Sequence, residues 1–388
     1  MKTLTTALTA TALCAGLATS ALAETQGVTD DEIRIGSVND LSGIFAAVGV
    51  SAVNGANLRF DEQNAAGGVH GRQIQFIVED NGYQIPRAMQ GYNKLLNRDK
   101  VFAMMLSLGT PMNLAGFKLL DPKGIPNVGP LSAAREMLKE PIDNKFVGFS
   151  SYWDQMQVGV RYLADKYDAQ KICVMYIPSD FGKEIAESTK DMTSQLGLEL
   201  AAETTHKPDE QDFVGSITKL KAADCDVVAM ALGVRQSITA VGTAKKLGWT
   251  DVAFLNSSAG FHEVIAAVPG GVTEGLYASA GFVDLVSRAD QPEVATFMAA
   301  YEEKFGHPAG IFAMLGYSSA DTMVRALDAA GQDLTQEGFI AAMESLDYYD
   351  PLTDATQSYG ADDHQGADEV VISVVEDGQW KVLARELP

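Results

Sequence analysis

The sequence predicts an α/β fold made of two doubly wound parallel-sheet lobes. Two series of apolar, strand-length runs alternate with helical patterns, one from residue 32 to about 167 and the other from residue 171 to 282. Strands that alternate with helices in this way form a parallel sheet wrapped by helices. The chain of 388 residues is also long enough for two domains with large cores.

The first series begins with the alternating strand EIRIGSV, and Pro, Gly and Asn residues mark its turns. Pro86 opens its second helix, and Pro122 with Gly124 ends its third. The predicted strands are Glu32–Val38, Gln73–Glu79, 101–106, Ile125–Gly129 and Lys145–Ser150, and the predicted helices are Val50–Asn64, 86–98, 111–121 and Tyr152–Tyr167.

The second series repeats the alternation and is followed by a helical region and a hairpin. An Asp377-Gly378 pair between two apolar runs is a strong hairpin signal. The predicted strands are 171–177, 198–205, 225–232, 252–256 and Leu276–Phe282, and the helices are 182–196, Gln211–Ala223, 234–246, Gln291–Phe305, Ala309–Ala330 and Thr335–Leu346.

The turn Ser107–Asn113 lies between the third strand and the third helix of the first series. It offers a hydroxyl, free backbone N–H groups and a helix N-terminus at the carboxyl end of a strand, where open parallel sheets bind ligands. These groups favour an anion such as a carboxylate. Alternatively, Thr110 simply acts as the N-cap of a helix whose first residue is Pro111.

Side chains that follow other strands at the same rim complete a candidate site. Hydroxyl, aromatic and single arginine side chains suit a small ligand that has a carboxylate and an apolar part. The alternatives are that Phe181 belongs to the core, that Arg235 pairs with surface acids and that Ser258 caps a helix. The rim candidates are Ser42, Phe45, Tyr83, Thr110, Asn113, Leu131, Ser132, Phe181, Arg235 and Ser258.

Charge and motifs argue against several classes of function. A net charge of −22 argues against a nucleic-acid partner, which requires basic patches. The sequence has neither a GxGxxG nor a GxxxxGK[ST] nucleotide motif, no GxSxG nucleophile motif and no pair of a nucleophile and a base among the rim residues. Five histidines stand singly in turns or polar stretches, which predicts solvated imidazoles and no metal site. No cofactor and no catalysis are expected.

The first residues have the pattern of a secretory signal peptide. Met1-Lys2 is followed by a short apolar run and by Ala21-Leu22-Ala23, which favours cleavage after Ala23. Leu13 precedes Cys14, whereas a lipid-attachment cysteine normally follows a small residue, so a free exported protein is favoured over a lipoprotein. Export permits a disulfide between Cys173 and Cys225, but each lies at the start of a strand-like run, and buried free thiols are favoured.

Seven segments together resemble the periplasmic solute-binding proteins of ABC importers, of the branched-chain amino-acid (Leu/Ile/Val)-binding type. The resemblance covers nearly the whole chain after the signal peptide. Its most specific part is the block from Asn54 to Asp80. The segments are IRIGSVNDLSGIFAAVG, NGANLRFDEQNAAGGVHGRQIQFIVEDNGY, SLGTPMN, KGIPNVGP, DQMQVG, SDFGKEIAE and KKLGW.

The resemblance implies two lobes joined by three hinge strands, which close on a ligand between them. It implies lobe 1 at residues 24–148 plus 283–356, and lobe 2 at residues 149–282 plus 357–388. The turn at Thr110 should take the ligand carboxylate, with Ser132 and Ala133 beside it and Phe181 as the aromatic residue of lobe 2. Trp153 and Asp154, at the start of a helix, join the candidate site.

Two positions depart from the amino-acid binders that the chain resembles. Those proteins usually offer a hydroxyl at the place of Ala133 and an acidic residue, for the ligand ammonium, at the place of Ser258. A tyrosine is also common where this chain has Arg235. An α-amino acid and an aromatic or aliphatic carboxylic acid therefore both remain candidate ligands.

The sequence therefore predicts a periplasmic binding component that delivers a small carboxylate-bearing solute to the membrane permease of an ABC importer. A monomer is expected from the family. The alternatives are a sensory module that reports ligand binding to a membrane receptor and an exported enzyme. Transport of an amino acid or other carboxylate by a protein without cofactor or metal is the favoured interpretation.

Overall fold

The computed structural model of the protein describes residues 25–388, so the predicted signal peptide and its cleavage site lie outside the described residues. Two sheets organise this part of the chain. The first is parallel, has the strand order β2-β1-β3-β4-β5 and pairs Glu32 of β1 with Gln73 of β2. Its strands are β1 (Glu32–Asn39), β2 (Gln73–Asp80), β3 (Ala103–Met105), β4 (Asn127–Val128) and β5 (Lys145–Phe146).

The second sheet has seven strands and forms the second lobe with its helices. Its strand order is β14-β13-β10-β9-β8-β6-β7. Strands β6 to β10 are parallel to one another. The terminal hairpin, β13 with β14, pairs antiparallel with β10. The strands are β6 (Lys171–Tyr176), β7 (Glu199–Thr205), β8 (Val227–Ala231), β9 (Ala253–Asn256), β10 (Tyr277–Ala280), β13 (Val370–Glu376) and β14 (Gln379–Glu386).

The helices connect the strands in both lobes. The predicted second helix ends early, because residues Leu95–Asp99 form a wider π-helical turn. The helices are α1 (Ala46–Ala65), α2 (Ile85–Lys94), α3 (Thr110–Leu120), α4 (Tyr152–Tyr167), α5 (Asp180–Gln195), α6 (Val214–Ala222), α7 (Val234–Lys246), α8 (Glu263–Ala266), α9 (Pro292–Phe305), α10 (Ile311–Ala330) and α11 (Gln336–Glu344). None of these helices is both long and apolar enough to cross a membrane.

Helix α10 returns to the first lobe and packs closely on α1. A Cβ atom on Gly55 would lie 1.9 Å from the carbonyl oxygen of Ala313, and one on Gly316 would lie 1.9 Å from that of Ala52. Only glycine permits the two helix backbones to approach this closely. These two glycine contacts therefore hold α10 against α1 in the first lobe.

The chain passes between the lobes three times, after β5, after β10 and before β13. Backbone hydrogen bonds join the crossing segments: Val147 donates to His364, Gly366 donates to Val147, and Val283 donates to Thr353. A short antiparallel pair, β11 (Asp347–Asp350) with β12 (Ala355–Ser358), follows α11 and was not predicted from the sequence. The residue boundaries of the lobes stay a prediction.

The structure corrects the prediction for the two cysteines, which form a disulfide with Cα atoms 5.9 Å apart. The sequence argument placed both cysteines inside neighbouring strands. Cys173 does lie in β6, but Cys225 lies two residues before β8, and its sulfur is 3.0 Å from the carbonyl oxygen of Leu220 in the last turn of α6. A cysteine in the turn can orient its side chain toward the adjacent strand, so the bridge is compatible with the parallel pairing.

Candidate ligand-binding cleft

A cavity lies between the two lobes, at the carboxyl ends of strands from both sheets. The volume between its walls is about 530 Å³, counting its opening to solvent. Most of the side chains that line it are aromatic or aliphatic, and the polar ones are hydroxyl-bearing. The lining residues are Phe45, Val48, Tyr83, Leu108, Gly109, Thr110, Leu131, Ser132, Phe149, Tyr152, Phe181, Ser258, Ala259, Phe282, Phe312 and Leu315.

The polar end of the cavity is built at the N-terminus of α3. The hydroxyl oxygens of Thr110 and Ser132 are 2.8 Å apart, and both side chains are buried. Thr110 is the first residue of the helix, so its backbone N–H has no acceptor within α3. The helix dipole and these donors together suit an anionic group.

The prediction that Thr110 is the N-cap is wrong by one residue. Gly109 is the N-cap and has a φ of 101°, a conformation that side chains other than glycine rarely adopt. Pro111 is therefore the second helical residue, and the Thr110 side chain makes no capping bond. Because it does not cap the helix, the Thr110 hydroxyl contacts the Ser132 hydroxyl in the cavity wall.

Aromatic rings from both lobes meet across the cavity. The ring of Phe45 lies 4.6 Å from that of Tyr83 in its own lobe and 6.4 Å, edge to face, from that of Phe181 in the other lobe, measured between centroids. Phe181 in turn lies 5.3 Å from Tyr152. These are the usual separations of interacting aromatic pairs. The apolar part of a ligand would therefore be held between aromatic rings of the two lobes.

Among the described residues, no carboxylate and no cationic side chain lines this cavity. Burial raises the pKa of Tyr83 and of Tyr152 well above the ordinary value, so both phenols stay protonated. Ser258 is buried, and its backbone N–H donates to Oε1 of Gln155 at 2.9 Å. The cavity can therefore offer hydroxyl and backbone donors to a carboxylate, but it offers no counter-charge to an ammonium group.

Six predicted site residues do not line the cavity. Asn113 and Ala133 are buried behind its wall: the Asn113 amide donates to the carbonyls of Ser107 and Gly109, and the Ala133 carbonyl accepts from the N–H of Tyr152. These two residues hold the turns that carry the polar end. The six are Ser42, Asn113, Ala133, Trp153, Asp154 and Arg235.

The other four have partners or positions outside the cavity. Asp154 accepts from the hydroxyl of Ser151 at 2.6 Å at the start of α4, and the ring of Trp153 lies 3.6 Å below the guanidinium of Arg135. Ser42 and Arg235 are exposed and line a separate groove on the outside of the cleft. Their positions after strands predicted that these residues lie at the rim, but the sequence does not show whether their side chains point into the cavity or away from it.

Sequence reasoning missed nine lining residues. Tyr152 carried a usable signal, because it is an aromatic residue at the start of a helix that follows a strand of the first sheet. Phe312 and Leu315 carried none, because they lie in α10 and reach the cavity only through the packing of α10 on α1. The nine are Val48, Leu108, Gly109, Phe149, Tyr152, Ala259, Phe282, Phe312 and Leu315.

The loop that carries Tyr83 is held by Asp80. Its carboxylate accepts from the Ser42 hydroxyl at 2.6 Å, from Arg87 at 2.6 Å and from the backbone N–H of Gly82 at 2.9 Å. Burial raises the pKa of Asp80, but these hydrogen bonds and the charge of Arg87 outweigh burial and lower it to about 2.

Replacing Asp80 by asparagine should lower the free energy of unfolding by about 2 kcal/mol at neutral pH. Because the folded pKa of about 2 is below the unfolded value of 3.8, the stabilisation is present above pH 4 and is lost as the pH falls through 2. Urea unfolding from pH 2 to pH 7 measures it. The difference between wild type and Asp80→Asn should shrink on acidification. A constant difference would contradict the assignment.

A family model described as periplasmic binding protein matches residues 32–379, which is most of the chain. The chain belongs to the type I periplasmic binding protein family, branched-chain amino-acid type. The predicted family and the α/β fold of two lobes are thereby confirmed. The family binds solutes and does not catalyse reactions, so the expectation that this protein is not an enzyme also holds.

Three relatives illustrate the range of this family. The leucine-, isoleucine-, valine-, threonine- and alanine-binding protein of Pseudomonas aeruginosa is 25% identical over 313 residues, covering 78% of this chain and 79% of that protein. A fatty acid ABC transporter substrate-binding protein from Thermomonospora curvata is 26% identical, with a TM-score of 0.83 over 92% of this chain and 93% of that one. A solute-binding protein from R. palustris in complex with benzoate is 17% identical, with a TM-score of 0.80 over 92% and 97%, a likeness that shows the fold alone.

Two glutamate side chains of this periplasmic binding protein connect the second lobe to backbone N–H groups of the first. Glu184 on α5 is buried and accepts from the N–H of Arg135 at 3.0 Å. Burial and a hydrogen bond with Glu136 raise the pKa of Glu184 above its ordinary value. We call this the Glu184 contact. Because Arg135 also stacks on Trp153, one short segment of the first lobe contacts two helices of the second.

The second connection, the Glu263 contact, lies at the start of α10. Glu263 accepts from the N–H of Ile311 at 3.1 Å and lies 3.2 Å from Nδ1 of His262. Burial raises the pKa of Glu263, but His262 and the Ile311 N–H outweigh burial and hold the pKa below its ordinary value. A carboxylate at this helix N-terminus is also favoured by the dipole of α10.

The prediction of solvated imidazoles is wrong for three of the five histidines. His206, His262 and His364 are buried. The ring of His262 lies 5.4 Å from that of Phe312, and His364 stacks on Phe146 with a centroid separation of 4.2 Å. The polar sequence around these histidines did not indicate that they are buried. Residues elsewhere in the chain, or in the same turn, cover them in the folded protein.

Proposed function

We propose that this protein binds a small carboxylic acid without an ammonium group, with an aromatic or aliphatic body, and delivers it to the membrane permease of an ABC importer. The observation that carries the proposal is the charge distribution of the cavity. One end offers hydroxyls and a helix N-terminus, and the described lining residues include no carboxylate. The protein is proposed to act as a monomer in the periplasm after removal of Met1–Ala23.

The lack of a carboxylate among the described lining residues distinguishes α-amino acids from carboxylic acids without an ammonium group as ligands. An α-amino acid carries an ammonium group that loses water on entering the cavity, and a charge-assisted hydrogen bond worth roughly 1.5–3 kcal/mol would have no partner there. Ser258 stands where the amino-acid binders that this chain resembles usually have an acidic residue. An acid without the ammonium group avoids this cost and uses the same carboxylate-binding end.

We propose ligand contacts from both lobes. Thr110, Ser132 and the first N–H groups of α3 would bind the carboxylate, and the rings of Phe45 and Phe181 would contact the apolar body. Tyr83, Leu131 and Ser258, which were also predicted from the sequence, would make further contacts with the ligand. The fatty-acid relative from Thermomonospora curvata supports an apolar carboxylate, whereas the relative from Pseudomonas aeruginosa is named for amino acids.

Closure of the lobes is part of this proposal. Lobe 1, at residues 24–148 plus 283–356, would take the carboxylate first. Lobe 2, at residues 149–282 plus 357–388, would then cover the apolar body with Phe181 and Tyr152. The three crossing segments would act as the hinge.

Matched pairs of ligands test the proposal most directly. Leucine is compared with 4-methylpentanoate and phenylalanine with 3-phenylpropanoate, so each pair differs only in the ammonium group. The protein Glu24–Pro388 is unfolded and refolded to remove carried ligand, and melting shifts and binding heats are recorded. At 100 times its Kd a ligand should stabilise the protein by about 2.7 kcal/mol. We expect the ammonium-free member of a pair to bind at least tenfold more tightly. Tighter binding of the amino acids would overturn the proposal.

A further inference from the structure

Phe45 separates the enclosed cavity from a second groove on the outside of the cleft. The groove runs between the start of α1 in the first lobe and the start of α7 in the second. The residues on either side of Phe45 in the chain, Ile44 and Ala46, line the groove, while Phe45 itself lines the cavity and is 7% exposed. The same short segment therefore forms a wall of both spaces.

Gly233 lies directly behind the ring of Phe45. It lines the groove, and a Cβ atom placed on it would be 3.8 Å from Cε1 of Phe45. The other side of the ring contacts Tyr83 and Phe181 inside the cleft. The aromatic ring of Phe45 is thus the layer of protein between the cavity and the groove at this point.

The groove is suited to an extension of an apolar ligand. Its walls include Ile44, Ala47, Ile238 and Val264, and the residues Ile44 and Val264 are 39% and 52% exposed. Its polar and charged groups, which include Asp209, Glu210 and Arg235, lie in the loops before α1 and before α6 and in α7. An alkyl chain that passed the position of Phe45 would come into contact with these partly exposed apolar side chains.

We propose that the ring of Phe45 sets the upper length of the ligand, by closing the cavity against the groove. The inference rests on the proposed function, because it takes the ligand to be a carboxylic acid anchored at Thr110 and Ser132. The wild type should then bind straight-chain acids more tightly as they lengthen, until the chain reaches Phe45, after which affinity falls. Removal of the ring should join the two spaces and extend the series.

The test measures the binding heats of the straight-chain acids from butanoate to dodecanoate for wild type and Phe45→Ala. Each further methylene that becomes buried tightens binding roughly fourfold, so three methylenes change affinity by roughly 50-fold. We expect the best-bound acid to become longer by two to four carbons in Phe45→Ala. The first acid that wild type rejects should bind the variant at least tenfold more tightly.

Val48→Ala is the matched control. Val48 lines the cavity but not the groove, so its truncation enlarges the cavity without opening it. If Val48→Ala lengthens the best-bound acid as much as Phe45→Ala does, the effect is one of volume and the inference is overturned. Phe45→Leu, which keeps an apolar side chain, is measured as well. If Phe45→Ala does not fold, an unchanged length limit in Phe45→Leu overturns the inference.

The outcomes separate this inference from the proposed function. A wild type that binds acids, with a length limit that Phe45→Ala leaves unchanged, overturns only the inference about Phe45. A wild type that binds none of the acids overturns the proposed function and the inference with it. A longer limit in Phe45→Ala, with no such change in Val48→Ala, supports both.

Discussion

Replacing Thr110 by valine should weaken ligand binding about 10- to 100-fold. Valine has nearly the same shape as threonine but has no hydroxyl, so the variant removes a donor from the end of the cavity where a carboxylate is expected. A hydrogen bond to a charged group is worth roughly 1.5–3 kcal/mol, which corresponds to this range of affinity. The Ser132 hydroxyl, 2.8 Å from that of Thr110, would also lose this contact and keep the bond that it accepts from the N–H of Ala134. Titration calorimetry with the best ligand of the matched pairs measures the effect.

Thr189→Val is the control for this substitution. Thr189 is also buried in a helix, and its hydroxyl donates to the carbonyl of Ile185 at 2.8 Å, away from the cavity. The control should lose some stability but keep the wild-type Kd. If Thr110→Val also kept the wild-type Kd, the hydroxyl would not bind the charged group, and the carboxylate would have to lie elsewhere in the cavity.

Removing the disulfide should lower the free energy of unfolding of the second lobe by about 4 kcal/mol. The bridge between Cys173 and Cys225 closes a loop with a sequence separation of 52 residues, and closure of a loop of this length restricts the unfolded chain. Cys173→Ala with Cys225→Ala removes the bridge. Urea unfolding followed by circular dichroism measures the change in free energy.

The wild-type protein in a reducing agent separates the bridge from the sulfur atoms. It keeps both side chains but not the covalent bond, so it should lose nearly as much stability as the double variant. Ligand affinity should stay close to that of wild type, because the bridge joins the first half of β6 to the residue two before β8, whereas the cavity lies at the carboxyl ends of the strands. Unchanged stability in both the reduced protein and the double variant would show that the bridge does not stabilise the lobe.

The alternation of strands and helices was predictable from the sequence because its signals are local. The apolar runs, Pro86, Pro122 and the Asp377-Gly378 pair predicted most elements to within a few residues. The short pair β11 and β12 was missed, because each strand has only four residues and carries polar side chains, which is too short a run to show a strand pattern. The disulfide was predicted wrongly because the start of β8 was placed two residues too early.

The cavity was predictable only in part, because side-chain direction and long-range packing decide its lining. Thr110 and Ser132 were found because they directly follow strands of one sheet. Arg235 also follows a strand, but it points to the exposed groove, and no local pattern distinguishes it from Thr110. Phe312 could not be found at all, since its approach to the cavity depends on the glycine contacts between α1 and α10.

The Glu184 and Glu263 contacts bear on how tightly any ligand can bind. Both join the lobes through groups that do not line the cavity, so both contribute whether or not a ligand is present. In a two-state equilibrium the apparent dissociation constant is the intrinsic one divided by the fraction of protein already in the competent state. Contacts that hold the lobes together therefore increase that fraction and tighten apparent binding. Under the proposed closure of the lobes they would also slow release of the ligand, because these contacts must break before the cleft opens.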